Sequence, residues 1–359
     1  MTEYEELVAR RARCTRFLPG HGPATAAAML ATIPADAQVD IYGQGGVVEA
    51  LEAEICGVLG KPATAFMPSG VMAQQAVLRV HADQRGRRTV LFHPMCHLEQ
   101  HEEQAYQRLH GLTGRHVGDP NRLFTLDDLG QVAEPAAALL IELPQRDLGG
   151  QQPDFDDLIA QVSWAHERGT AAHLDGARLW ESAAGYEKDP AAIAALFDTV
   201  YVSFYKGIGA LSGCCVAGPE DIIAQAREWR RRMGGTLHDL WPNAASALTC
   251  LRQRLPRFPA YRDHARALAA VLADVPGVTV VPDPPQVPMM HLLLAVTSDG
   301  YAAAARKLAE ERGIWIPPGS MTTTDPAVQR IELSVGDATM DFEPGEVSEI
   351  FAAITGAPA

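Results

Sequence analysis

From about residue 47 to 217, apolar runs of strand length alternate with segments of helical period, the pattern of parallel strands joined by crossover helices. VVEALEAEICGVLG predicts a helix ending at Gly60, ATAFM a short strand, and Pro68-Ser69-Gly70 a turn into a second helix over about 71–83. TVLF, ALLIEL, TAAHLD and TVYVSF supply further strands, and FDDLIAQVSWAHERG carries apolar residues at the three- and four-residue steps of an amphipathic helix. Beyond about residue 250 the pattern changes to a helix over about 259–273, strands near VTVV and HLLLAV, a helix over about 301–312, and a final strand and helix. The predicted organisation is an N-terminal segment (1–39), a large α/β domain (40–250) with a mostly parallel sheet, and a small α+β domain (251–359). The proline-rich stretch VPDPPQVPMM is read as a rigid connection between strands.

Composition narrows the function. At 359 residues the chain exceeds one comfortable core, and 47% hydrophobic with 21% charged residues is an ordinary globular balance. A formal net charge of −14 argues against nucleic acid, whose phosphates need a concentrated positive field. No window approaches the ~20 apolar residues that span a bilayer, so no membrane partner is expected. Cysteines 14, 56, 96, 214, 215 and 250 lack metal-ligand spacing, which points to free thiols in a reducing cytoplasm and to no metal site.

Four segments could carry chemistry. Ser69, Gly70 and Val71 open a helix whose N–H groups can face an anion, although Pro68-Ser69-Gly70 is equally the form of a plain βα turn. Asp175 ends the apolar strand in HLDGAR, where ligands gather in open α/β sheets; it could pair with a protonated pyridine nitrogen or cap the next helix. Lys206, in VSFYKG, follows the next strand and can form an imine if its amine is held neutral; the alternative is a lysine on an exposed loop. His97 follows TVLF and could stack on a flat ring, but His93, His101 and His110 lie close by in the chain.

Taken together, DIYG at 40–43, PSG at 68–70, His97 with Glu102 five residues on, Gly149-Gly150, HLDGAR, SFYKGIGALSG, WRRRMGG and QRIEL resemble the threonine aldolase / β-eliminating lyase family, over essentially the whole chain. The resemblance implies the aspartate-aminotransferase fold and pyridoxal 5′-phosphate (PLP) as cofactor. Lys206 would hold PLP as an imine, Asp175 would pair with its ring nitrogen, and His97 would stack on its face. Ser69, Gly70 and Val71 would hold the phosphate, and Arg178 and Arg330 the α-carboxylate of an amino-acid substrate. Tyr42 would frame the site across a subunit boundary in a homodimer or homotetramer. The implied reaction is cleavage of an L-β-hydroxy-α-amino acid to glycine and an aldehyde; the alternatives are β-elimination from another amino acid and a non-catalytic PLP-binding protein.

The chain also departs from the family. Where threonine aldolases read Glu-Asn-Thr-His, with the histidine on the substrate's β-hydroxyl, this chain reads Glu142-Leu143-Pro144-Gln145. Gln145 cannot serve as a general base near neutral pH. After WRRRMGG comes Thr236-Leu237-His238, so His238 stands where the family usually has a phosphate-binding arginine. The N-terminal Arg-Ser-Asp-Thr signature is replaced by Cys14-Thr15-Arg16-Phe17 and the residues that follow.

Overall fold

The computed structural model describes residues 2–23, 25–321 and 323–356, which fall into two compact units. The larger comprises residues 25–257; the smaller joins the residues before 24 to those after 257.

The larger unit is built on a seven-stranded sheet: β1 (Ala63–Met67), β2 (Thr89–Phe92), β3 (Thr113–His116), β4 (Ala138–Glu142), β5 (Ala171–Gly176), β6 (Thr199–Ser203) and β7 (Cys214–Gly218), in the spatial order β1-β7-β6-β5-β4-β2-β3. Neighbours from β3 to β6 run parallel, and β7 is antiparallel to both β1 and β6. The expected strands and helices form close to their expected bounds, with β3 and β7 in addition. The helix Gly46–Leu59 (α1) stops at Gly60 in the left-handed conformation, and Gly70–Arg85 (α2) stops the same way at Gly86. One face of the sheet is covered by α2 and by Glu220–Arg232 (α3), which bury Ala73, Val77, Ile223 and Ala226 against Ala65, Met67, Tyr201 and Val216.

In the smaller unit β8 (Val278–Val281), β9 (Met289–Leu294) and β10 (Gln329–Ser334) make an antiparallel sheet with β9 in the centre. Arg16–Phe17 pairs in parallel with Ile314–Trp315, which ties the N-terminal residues into this unit. Among the described residues no helix is long and apolar enough to cross a membrane.

Strands β5 and β6 are buried along their whole length, as interior parallel strands are. A histidine inside such a strand must be satisfied without water. Arg85 Nη1 reaches His81 Nδ1 (3.2 Å), His81 Nε2 reaches Thr199 Oγ1 (2.8 Å), Thr199 reaches His173 Nδ1 (2.8 Å), and His173 Nε2 reaches Gln74 Oε1 (2.5 Å). A single direction of donation from Arg85 to Gln74 satisfies every atom when both imidazoles are neutral. Burial accordingly drives His173 down to about 3 and His81 well below its ordinary value. The unfolded chain takes up protons below about pH 6.5 that the folded chain refuses until far lower. The network's stabilisation is therefore complete above that pH and declines as pH falls towards 3, by about 1.4 kcal/mol per pH unit for His173, and His81 adds a decline of the same sign. His173→Gln should flatten the loss of urea stability between pH 6.5 and 4.5 relative to wild type, measured by chemical denaturation at each pH; an unchanged slope would show that the histidine is not buried neutral.

Candidate active site

Because β1, β2, β4, β5 and β6 point the same way, the segments leaving their carboxyl ends meet along one edge of the sheet. Those segments carry Ser69, His97, Gln145, Asp175 and Lys206.

Asp175 is 2% exposed, and its Oδ1 accepts the Ala177 N–H at 3.1 Å. Burial pushes its carboxyl up, while the charges of Lys206 and His97 draw it down. Its register partner on β4 is a second carboxylate, Glu142. The Glu142 carboxylate accepts from His97 N (3.0 Å), Arg146 N (3.1 Å) and Gln145 Nε2 (3.2 Å), although part of the residue remains exposed. Desolvation, with Asp175 adding to it, raises Glu142 to about 7. Lys206 opposes this through its charge.

His97 begins the one-turn helix His97–Gln100. Its Nδ1 lies 3.0 Å from Glu102 Oε1, and Gln75 Nε2 holds the other oxygen of that carboxylate at 3.2 Å. Glu102 is 4% exposed, so its bond to His97 dominates the balance and raises the imidazole above its ordinary value against desolvation and the charge of Lys206. Four residues on, His101 Nε2 lies 2.8 Å from Asp147 Oδ2, and the rings of His97 and His101 are 5.1 Å apart.

The phosphate candidate has a specific form. Ser69 is the extended N-cap of α2, its side chain makes no cap bond, and the first turn contains no acidic residue. The helix N-terminus is therefore not already neutralised by its own sequence. A Cβ at Gly70 would overlap the Tyr201 hydroxyl, which accounts for glycine there. Gly207 is constrained in the same way by the Glu181 carboxylate, which also pairs with Arg178 Nη1 at 3.3 Å.

Tyr42 is exposed, has a positive φ of 54°, and packs edge-on against His238 at 5.0 Å. His238 is itself exposed and bonds Asp239 at 2.9 Å. Arg330 belongs to the smaller unit, on the edge strand β10 opposite Leu293. Gln145 is buried, and its Nε2 also donates to Met95 O at 2.9 Å.

Three features went unassigned in the sequence. Glu142 ends a buried apolar strand just as Asp175 does, a signal that would have found it. Arg230, 4% exposed within WRRRMGG, donates to Phe66 O at 2.7 Å beneath the end of β1. The His101–Asp147 pair joins residues 46 apart, and no local pattern announces it.

A seven-stranded sheet with this order, one antiparallel strand next to its edge and a lysine leaving β6, is the large domain of fold-type I PLP-dependent enzymes. A family model described as beta-eliminating lyase matches residues 22–295, and the chain belongs to that family. A solved structure from Listeria monocytogenes EGD-E, described as a "putative L-allo-threonine aldolase", superposes with a TM-score of 0.92 at 37% identity, over 98% of this chain and 99% of that one. Low-specificity L-threonine aldolase 1 of Arabidopsis thaliana is 26% identical, covering 80% of this chain and 82% of its own. The low specificity L-threonine aldolase of Escherichia coli O157:H7 is 25% identical over 77% and 82%, respectively.

Replacing Glu102 by Gln removes the largest influence that raises His97. The imidazole should then titrate lower when followed by NMR, and an unmoved titration would show that another group sets it.

Proposed function

We propose that this chain is a PLP-dependent lyase that cleaves a threonine-like L-β-hydroxy-α-amino acid to glycine and an aldehyde. The observation that carries the reading is the gathering of a lysine, a buried aspartate and a carboxylate-anchored imidazole at one sheet edge, in a chain whose relatives are named threonine aldolases.

The residues fit the cofactor group by group. The uncommitted N-terminus of α2, with Ser69, Gly70 and Val71, would hold its phosphate. Asp175 would hold its ring nitrogen protonated, His97 would lie against the ring, and Lys206 would bind its aldehyde carbon. When bound, PLP supplies an electron sink for the pair released at the substrate's Cα. Arg178 would offer its planar guanidinium to the substrate carboxylate and so help select which Cα bond breaks. Lys206 would carry a proton to and from the substrate's Cα.

A second reading, β-elimination from another amino acid, is favoured by Gln145, whose amide is committed to Met95 and Glu142 and supplies no base for a β-hydroxyl. Incubating PLP-loaded protein with L-threonine, L-allo-threonine and L-threo-phenylserine separates the two: glycine with the matching aldehyde is expected, whereas a keto acid would replace the aldolase reading by the eliminating one. Lys206→Ala should abolish both turnover and the visible imine absorbance; retained turnover would remove Lys206 from the site.

The exposed side chains of Leu30, Val39, Ile41, Tyr42 and Leu237 support assembly with further copies of the chain, as a homodimer or homotetramer. Six unpaired cysteines support a reducing, cytoplasmic setting. Sedimentation at micromolar concentration should show a dimer or larger species, and a monomer would contradict this assembly.

A further inference from the structure

Cleavage of a β-hydroxy amino acid needs a base for the β-hydroxyl proton. Position 145 offers an amide, and His97, held at Nδ1 by Glu102, is assigned above to the face of the cofactor ring. Beside His97 stands a second imidazole anchored in the same manner. His101 closes the one-turn helix that His97 opens, and its Nε2 meets Asp147 Oδ2 at 2.8 Å. Asp147 lies two residues beyond Gln145, is 9% exposed, and is also approached by Arg146 Nη1 at 3.4 Å. A carboxylate on Nε2 fixes the neutral imidazole as the Nε2–H tautomer and leaves the lone pair on Nδ1. No hydrogen bond to His101 Nδ1 occurs among the described residues, and 40% of the side chain is open to solvent. Among the described residues, the charged and titratable groups that meet His101 or its partner include Asp147 and Arg146 from the turn after β4 and His97 from its own helix, and Glu102 and Glu103 follow it in the chain.

We infer that His101, oriented by Asp147, is the general base that takes the substrate's β-hydroxyl proton, the task that position 145 cannot perform in this chain. The inference rests on the aldolase reading above. In the step, His101 Nδ1 forms a bond to the hydroxyl proton, the O–H electron pair becomes the second bond of the aldehyde carbonyl, and the Cα–Cβ pair passes to Cα. The imidazolium then returns its proton to water, and Cα is protonated to give glycine. No external oxidant or reductant is needed.

His101→Asn separates catalysis from a mere tie between loops, because asparagine can still donate to Asp147 but cannot take a proton. Two reactions of the PLP-loaded enzyme would be compared: cleavage of L-threonine, L-allo-threonine and L-threo-phenylserine, and exchange of the glycine α-proton with deuterated water, which involves no β-hydroxyl. The expected result is a kcat for cleavage lower by about 10²-fold or more, with glycine exchange and KM unchanged. Asp147→Asn, which keeps an acceptor for Nε2–H but removes its charge, should lower cleavage less and likewise spare exchange. Cleavage at the wild-type rate in either variant overturns the assignment and leaves the aldolase reading standing. Parallel loss of cleavage and exchange also overturns it, since that pattern marks a structural role. Wild-type enzyme that exchanges glycine but cleaves none of the three substrates overturns both readings.

Discussion

The site depends on two carboxylates held side by side at the end of a buried sheet. Asp175 and Glu142 are register partners on adjacent parallel strands, and both are pushed towards their neutral forms by removal from water. Like charges so placed repel strongly in a medium of low effective dielectric. The surrounding structure answers with Lys206 and His97 as neighbouring cations and with the N–H groups of Ala177, Arg146 and His97. The lysine leaving β6 and the imidazole beyond β2 therefore belong to the same electrostatic balance. Burial and mutual repulsion thus favour a shared proton on the pair, against the pull of Lys206.

The same carboxylate organises loops. Glu142 receives the backbone N–H of His97 from one segment and the N–H of Arg146 and amide of Gln145 from another. It thereby fixes the spacing between the helix that carries His97 and His101 and the turn that carries Asp147. Where Gln145 is locked by Met95 and Glu142, His101 and Asp147 stand as a second imidazole–carboxylate couple beside the first.

Much of this was legible along the chain. ATAFM, TVLF, ALLIE and TVYVS are short, apolar and bounded by turn residues, and each forms its strand; Gly60 ends its helix as glycine in the left-handed region does. β7 was harder, since Cys214-Cys215-Val216-Ala217-Gly218 has small residues and no alternation, and burial on both faces removes the periodic signal. β3, as Thr-Gly-Arg-His, is polar because it lies at the sheet edge. Within the site, residues at strand ends could be named from position, whereas His101–Asp147, Glu142–His97 and Arg230–Phe66 join segments 46, 45 and 164 residues apart, respectively. Such pairings are products of the topology, and only the folded chain displays them.

Whether the sheet's carboxyl edge directs Lys206 to the cofactor is open to a direct chemical test. PLP-loaded protein would be reduced with borohydride, digested, and its pyridoxylated peptide identified by mass spectrometry. One dominant label is expected, on the lysine between Tyr205 and Gly207. A label on Lys61, Lys188 or Lys307, or none at all in protein that has visibly bound PLP, would contradict it.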